Sequence, residues 1–375
     1  MTTQSDPPAA ASSKPRSHWF TLAIIALLAV VVLWSFGVFK SRPKVALITS
    51  GDTPFWEPVI TGANEAAKIY DVDLTVVKSK SSLEQQTAEI QNVLGRHFDG
   101  VAISPISPTG QAAALSSVAD ATTLVTFDSD SPMSRRLCFV GTDNYAAGRL
   151  AGKQVRDALP DGGEVIICVG NLDKENTQHR RQGVIDELLD RSYEPDRAMD
   201  DLEAPAKDAE GKYVVVATLV DNSDPQKATE LAADALKSHP NVKAFVGLLA
   251  YSANSILKAL EPANKVGQIK VVAFDAEPAT LDGIEKHAVV SSIMQDQYGL
   301  GFHAVRILAE AARGDRAGGL PMFQRRTLPC EIITYDNVGV VREQLKRVRD
   351  GGGGGAAASS VASSGAAPAA TQPGQ

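Results

Sequence analysis

The sequence has few cysteines and no surplus of positive charge, and each shortage argues against a class of protein. Its three cysteines, Cys138, Cys168 and Cys330, lie far apart between apolar residues, so no zinc-binding spacing is present. We expect buried thiols, although a disulfide between Cys138 and Cys168 stays open in an oxidising compartment. The formal net charge of −7 leaves no basic face to neutralise phosphates, which argues against a nucleic-acid partner.

The common catalytic motifs are also absent from the sequence. It contains no P-loop, no HExxH, no GxSxG and no dinucleotide-binding GxGxxG after a strand. The six histidines are scattered, and only His179, beside Arg180, falls in a predicted ligand cleft. We therefore expect a protein that is not an enzyme, with no cofactor and no metal site.

Both ends of the chain differ in composition from its middle. Trp19 to Phe39 is an almost unbroken apolar run of about 20 residues, long enough to span a bilayer. It is either a transmembrane anchor or an export signal; an uncleaved anchor is favoured because a cleavable signal normally has a shorter apolar region. Residues 1–18 and the Gly/Ala/Ser-rich residues 350–375 are predicted to be disordered tails.

Between these ends, strand and helix patterns alternate. The stretch from Lys44 to Tyr70 sets the pattern: the apolar run Val45 to Thr49 predicts a buried strand, a polar turn breaks it, and a helix-periodic segment follows. Similar units recur to residue 140 and again from residue 145 to 274. With 375 residues and 44% hydrophobic side chains, the chain is predicted to form two doubly wound parallel sheets of the α/β class. The charged segment Arg191 to Lys212 is predicted to be a surface insertion.

The loops after these strands are predicted to form one ligand site, because ligands bind outside the carboxyl ends of parallel strands. Their polar and aromatic side chains are Asp52, Thr53, Phe55, Trp56, Asp128, Ser129, Asp130, Lys174, Glu175, Asn176, His179, Arg180, Asn222, Tyr251, Asn254, Asp275, Glu277, Gln295 and Asp296. Such groups suit sugar hydroxyls, but the same residue types also serve as helix caps and turns. Phe55 and Trp56 are either a stacking platform for a sugar ring or core packing for the next helix.

Several motifs in order make the chain from Lys44 to about Lys346 resemble one family. They are TPFW, GANEAAK, TFDSD, VGTDNYAAGRLAG, HRRQG, VVAFDAEP and SIMQDQYGLG. The family is the ribose-binding type of periplasmic sugar-binding protein, whose members are solute receptors of ABC importers. The resemblance implies the type I periplasmic-binding-protein fold.

The resemblance also implies roles for individual residues. Phe55 and Trp56 would sandwich the sugar ring, and Asp128, Arg180, Asp275 and Gln295 would bind its hydroxyls, with Asp275 and Arg180 on opposite walls of the closed cleft. The remaining predicted ligand-binding residues are Thr53, Ser129, Asn222, Leu249 and Tyr251. The family usually has Asn where Thr53 stands, Arg where Ser129 stands, and Asn-Asp in the 249–251 segment, so the identity of the sugar stays open.

The implied lobes are joined by a three-strand hinge that crosses near Thr142, Gln295 and Glu331. The first lobe comprises residues 44–142 with 296–331, and the second comprises residues 143–295 with 332–347. We expect a monomer on the periplasmic side of the cytoplasmic membrane, anchored there, or soluble in the periplasm if residues 19–39 are cleaved. It would close over a monosaccharide-like ligand and present it to an ABC permease. The alternative is a membrane-tethered sugar sensor acting on a chemoreceptor or histidine kinase, and a sugar-processing enzyme is a weaker one.

Overall fold

The computed structural model describes residues 22–28, 42–80, 82–315 and 324–350. The chain divides into two units, Met1–Arg42 and Pro43–Gln375. In the first, residues 22–28 form a short helix with exposed side chains. None of the described helices is long and apolar enough to cross a membrane. Most of the predicted anchor and nearly all of both predicted tails lie outside the described residues.

The second unit begins with an alternating run of strands and helices that ends at Thr142. Its elements are β1 (Lys44–Thr49), α1 (Trp56–Ile69), β2 (Asp73–Lys78), α2 (Leu83–Leu94), β3 (Gly100–Ile103), α3 (Ala112–Ala121), β4 (Thr123–Phe127) and β5 (Cys138–Thr142). The apolar residues of β1 are buried from Val45 to Ile48, as a central strand covered on both faces requires.

A second alternating run extends to Gln295. Its elements are α4 (Asn144–Ala158), β6 (Gly163–Val169), α5 (Glu175–Leu188), β7 (Ala206–Lys207), β8 (Tyr213–Val220), α6 (Pro225–Ser238), β9 (Val242–Gly247), α7 (Ser252–Leu260), β10 (Lys270–Phe274), α8 (Pro278–Glu285) and β11 (Ser291–Gln295). Short aspartate side chains begin several helices by accepting a hydrogen bond from a free backbone N–H. Asp143 accepts from Ala146 at 2.9 Å, and Asp224 accepts from Gln226 at 2.8 Å.

The last elements complete two sheets. They are α9 (Gln297–Ala312), β12 (Arg325–Leu328), β13 (Cys330–Ile333) and α10 (Val338–Arg349). The first sheet has the order β12-β5-β4-β3-β1-β2, and all its strands are parallel. The second has the order β13-β11-β10-β9-β6-β8-β7, with antiparallel pairing only for β13 and β7 at its edges. The two parallel sheets predicted from the sequence are confirmed.

The chain passes between the two sheets three times. It leaves the first sheet after Thr142, returns after Gln295 and leaves again at Pro329. The third passage lies two residues before the expected Glu331, because Cys330 already pairs with Gln295 in the second sheet. All three passages adjoin the carboxyl ends of the parallel strands.

Each sheet is covered by a pair of helices that meet at glycines. A Cβ at Gly62 of α1 would overlap the Tyr298 carbonyl of α9, and one at Gly301 would overlap the Val59 carbonyl. In the second lobe, α4 and α5 meet in the same way at Gly148. The motif glycines are therefore required for close helix packing, and they fix the backbone that carries Arg180.

One of the groups that attach the insertion between α5 and β8 to the helices is a buried carboxylate. Asp186 accepts from the Tyr145 hydroxyl at 2.8 Å and pairs with Arg191 at 3.1 Å and Arg197 at 3.0 Å. Its own side chain is fully buried. A carboxylate in such a position is stable only when its oxygens are paired, so Asp186 organises the start of the insertion.

We predict that Asp186→Ala lowers the free energy of unfolding by about 3 kcal/mol, because two arginines and a tyrosine lose a buried acceptor. Urea unfolding of the ligand-free protein measures the change. Asp157→Ala is the matched control, because its carboxylate is 57% exposed and pairs only with Lys153; this change should stay within about 0.5 kcal/mol. Equal effects of the two substitutions would contradict the role given to Asp186.

Candidate ligand-binding cleft

Two aspartates occupy matching positions in the two sheets, each directly after a strand. Asp128 follows Phe127 of β4, and Asp275 follows Phe274 of β10. Both have left-handed backbones, with φ of 60° and 61°, and both donate their N–H to the adjacent strand, at 3.0 and 2.9 Å. Left-handed non-glycine residues cost about 1 kcal/mol or more and cluster at ligand sites. Asn222, just after β8, has φ of 59°.

Asp275 belongs to a buried chain of polar groups. The Gln295 amide donates to both Asp275 oxygens, at 3.1 and 3.2 Å, and the Gln295 oxygen accepts from Arg180 at 2.6 Å. The same oxygen also accepts from the Thr142 hydroxyl at 3.1 Å. Each of these four residues is less than 5% exposed. Burial raises the pKa of Asp275 to about 6, although Arg180 and Gln295 act against that shift.

Arg180 is held by groups of the second lobe. Its guanidinium donates to the Asn144 side chain at 2.9 Å and to the Leu248 carbonyl at 3.0 Å. It also lies 4.7 Å from the centre of the Phe274 ring. The expectation that Arg180 and Asp275 stand on opposite walls is therefore wrong. Both belong to the second lobe, because α5 packs against the sheet that contains β10. Gln295 hydrogen-bonds to both of them.

In the first lobe, the loop after β4 is more completely buried than its polar sequence suggests. Asp128 is 8% exposed and accepts from the Ser104 hydroxyl at 2.8 Å. Ser129 is 1% exposed, and its hydroxyl has no partner among the described residues. Asp130 accepts from Thr126 at 2.7 Å and from Arg136 at 2.6 Å. Asp130 is therefore a structural anchor, whereas Asp128 and Ser129 retain capacity for a ligand.

The two adjacent aromatics have different surroundings. Trp56 is 6% exposed, belongs to the core of the first lobe, and meets the Phe127 ring edge-on at 6.1 Å. Phe55 is half-buried at the start of α1, and the neighbouring Thr53 is exposed. Core packing accounts for the position of Trp56, so its truncation is expected to cost about 3–5 kcal/mol of stability. Stacking on a ligand remains a prediction for both residues.

The second-lobe loops lie opposite Phe55. One groove is lined by Phe55 and Pro54 of the first lobe and by Ala250 and Glu277 of the second. Leu249 and Tyr251 flank Ala250 and are half-buried, whereas Asn222 is exposed. Among the strand-end carboxylates, Asp296 begins α9 by accepting from Gly299 at 2.7 Å. For Asp296, the helix-cap interpretation accounts for the residue.

Two further residues lie at these strand ends: Lys174, which the sequence placed among the cleft loops, and Asp221, which it did not. Lys174 is half-buried just before α5, where burial lowers its pKa and the charge of Asp128 acts to raise it. Its neighbour Glu175 lies 3.8 Å from Arg325 of the first sheet, and Arg325 lies 3.5 Å from Asp130. Asp221 ends β8, is 1% exposed and accepts from the Tyr251 hydroxyl. The only sequence signal for Asp221 was its place directly after an apolar strand.

The polar groups gathered at these strand ends are mainly carboxylates and amides. Within the part of the chain that the structure describes, no three His, Cys, Asp or Glu side chains are grouped to hold a metal ion. The arrangement instead offers carboxylates, amides and an aromatic ring, which can accept, donate and stack without forming bonds to a ligand.

Residues 45–316 match the family profile described as the periplasmic binding protein domain. The chain belongs to the periplasmic binding protein family. It is 22% identical over 298 residues to the D-allose-binding periplasmic protein of Escherichia coli (strain K12), an alignment covering 76% of this chain and 90% of that protein. It is also 22% identical over 281 residues to the ribose import binding protein RbsB of Salmonella typhimurium, covering 74% and 87%.

Solved structures of this family share its architecture. An ABC transporter solute-binding protein from Burkholderia graminis C4D1M, in complex with D-arabinose, aligns with a TM-score of 0.69 and 26% identity, covering 79% of this chain and 96% of that one. GanP, a glucose-galactose binding protein from Geobacillus stearothermophilus, aligns with a TM-score of 0.70 and 25% identity, covering 80% and 99%. The family and the fold predicted from the sequence are confirmed.

We predict that Asp275 makes the ligand-free protein less stable as the pH rises from about 4 to 6. Its pKa is about 6 in the folded protein, above the ordinary value of 3.8. The folded state therefore binds the proton more tightly, and this stabilising contribution is lost as the carboxyl ionises. Relative to Asp275→Asn, the wild-type free energy of unfolding should fall by roughly 2–3 kcal/mol between pH 4 and 7.

Urea unfolding at several pH values measures this difference. Asp282→Asn is the matched control, because the Asp282 side chain is 52% exposed and pairs with Arg342 on the outer surface. A wild-type curve that stays parallel to the Asp275→Asn curve would contradict the buried, protonated carboxyl.

Proposed function

We propose that this chain is a sugar-binding receptor of an ABC importer and that it binds its ligand between the two lobes. The observation that supports this most directly is the pair of left-handed aspartates, one at a strand end of each sheet. The charge of Asp128 also acts to raise the pKa of Asp275, which supports placing the two carboxylates near each other. The relatives named for allose and ribose, and the solved structure in complex with D-arabinose, support a sugar as the ligand.

The proposed site would recognise a sugar through its hydroxyls and through the apolar faces of its ring. Asp128 and Asp275 would accept from hydroxyls, one from each lobe, and Phe55 would stack on the ring. Arg180 and Gln295 would bind sugar hydroxyls while remaining part of the buried hydrogen-bond chain. The departures from the usual family residues, at Thr53, Ser129, Asn222, Leu249 and Tyr251, would shape the pocket and select among sugars.

We infer that binding closes the lobes without any chemical step. The proposed lobes are residues 44–142 with 296–329 and residues 143–295 with 330–347, the third passage being placed at Pro329. Two hinge residues, Thr142 and Gln295, hydrogen-bond each other, and Gln295 also contacts Asp275. A ligand that engages Asp275 would thus act directly on the hinge. A monomer in the closed shape would be what the permease recognises.

The test is a thermal-shift screen of residues 44–349 with D-ribose, D-allose, D-arabinose, D-glucose and D-galactose. A ligand that binds only the folded state raises the Tm by mass action. At least one sugar should raise the wild-type Tm. Phe55→Ala should weaken the binding of that sugar by about 1 kcal/mol. Tyr335→Ala is the aromatic control, since Tyr335 is 56% exposed. It follows the antiparallel strand β13, so it lies where the parallel strands of the second sheet begin, away from the strand ends of the proposed site. No shift with any sugar of a wider aldose and ketose panel would refute the proposal.

A separate prediction concerns where the protein is found in the cell. Membership of this family implies a position outside the cytoplasm, and we propose that the apolar run from Trp19 to Phe39 anchors it there. The mature protein should fractionate with membranes, with its folded unit open to protease added to spheroplasts. Recovery of a soluble periplasmic form that starts between Val38 and Lys44 would refute the anchor and leave the sugar-receptor proposal intact.

A further inference from the structure

Tyr251 is fixed at its hydroxyl by a buried acid. It follows β9 at the residue preceding α7, its ring is half-buried, and its hydroxyl donates to Asp221 Oδ1 at 2.6 Å. Asp221 stands at the end of β8, with 1% of its surface exposed. This contact joins two strand-end loops of the second lobe, and it occupies the hydroxyl that a ligand would otherwise meet.

The surroundings of Asp221 show that it is not an ordinary turn residue. Its Oδ1 also accepts the Ser223 N–H at 2.7 Å, whereas its Oδ2 is buried without a partner among the described residues. Burial raises the pKa of Asp221 to about 6. The titratable or charged groups near it are Tyr251 of the 249–251 loop, Lys227 and Asp224 of the α6 region, and Cys168 of β6. A buried carboxylate oxygen without a hydrogen-bond partner lowers the stability of the fold, so we expect Asp221 to have a role that offsets this cost.

The loop after β6 closes round the same hydroxyl. A Cβ at Gly170 would lie 3.3 Å from the Tyr251 hydroxyl and 2.9 Å from Ser223 Oγ, and it would overlap Leu249 Cδ1. The phenol end is therefore enclosed by the ends of β6 and β8, with Leu249 beside it. Ala250, next to Tyr251, lines the same groove as Phe55 of the first lobe. The loop that carries Tyr251 thus faces the loop that carries Phe55.

We propose that Asp221 is a positioning residue that holds Tyr251, and that the Tyr251 ring is the second lobe's stacking surface for the apolar face of a sugar ring. This inference rests on the proposed sugar-binding function. The ligand would contact the Tyr251 ring and not its hydroxyl. Phe55 and Tyr251 would then present one aromatic ring from each lobe, a pairing suited to an aldose in its ring form.

The test measures affinity for the sugar that gives the largest wild-type thermal shift, by isothermal titration calorimetry of Tyr251 and Asp221 variants. Tyr251→Leu removes the ring and should weaken binding on the order of tenfold. Tyr251→Phe and Asp221→Leu each break the hydroxyl contact and should each weaken binding severalfold. In the double variant Tyr251→Phe/Asp221→Leu the losses should not add, because both act on one contact.

Two further measurements separate positioning from a general structural role. Asp221→Asn keeps the acceptor oxygen and should weaken binding less than Asp221→Leu does. Wild-type affinity relative to Asp221→Asn should change near pH 6, where Asp221 titrates, and Tyr251→Phe should remove that change. If Asp221→Leu does not fold, the pair Asp221→Asn and Tyr251→Phe decides the question through this pH profile.

The outcomes distinguish this inference from the function on which it rests. A wild-type protein that binds no sugar overturns the receptor proposal itself. A wild type that binds sugar, with Tyr251→Leu and Asp221→Leu binding as tightly, overturns the role of Asp221 and Tyr251 alone. Additive losses in the double variant also overturn it, because they would show two independent contacts.

Discussion

The structure depends most on the buried hydrogen-bond chain from Arg180 through Gln295 to Asp275. Arginine is the residue least tolerant of burial unless its donors are paired, and here the donors meet a side-chain amide, a backbone carbonyl and Gln295. Gln295 is the last residue of β11, where the chain leaves the second sheet. One amide therefore pairs with both the buried cation and the buried acid, and it lies at the second passage between the sheets.

Burial in the same arrangement raises the pKa of Asp275 to about 6, although the Gln295 amide donates to both of its oxygens. The carboxylate has lost its water, and a neutral amide replaces only part of that hydration. A ligand hydroxyl that donates to Asp275 would supply a missing partner and favour ionisation. Under the proposed function, ligand binding would then favour proton release from Asp275.

Much of the fold could be predicted from the sequence because two features are local. Apolar runs such as Val45 to Thr49 mark strands, and their regular return with helices between them predicts parallel sheets. Strand-end position also identified Asp128 and Asp275, since side chains after parallel strands meet at one edge. The third passage was displaced from Glu331 to Pro329, since strand pairing at a sheet edge depends on long-range contacts.

Other features of the site could not be predicted, because they depend on long-range packing that local sequence patterns do not show. Trp56 and Phe55 have the same class of side chain in adjacent positions, yet only Trp56 reaches the core. The placement of Arg180 and Asp275 in one lobe follows from a three-dimensional link through Gln295, more than one hundred residues from Arg180. Asp221 has the same strand-end position as Asp128 and Asp275, but its contact with Tyr251, thirty residues away, has no local sequence signal.

The glycine contact between α1 and α9 has a mechanical consequence. With no side chains between their backbones at Gly62 and Gly301, these two helices cannot slide or rotate past each other without a clash. α9 starts two residues after Gln295 and α1 starts directly after Phe55, so the packed helix pair links these two positions. If the proposed hinge bends at Gln295, this close contact would carry α1, and with it Phe55, along with α9.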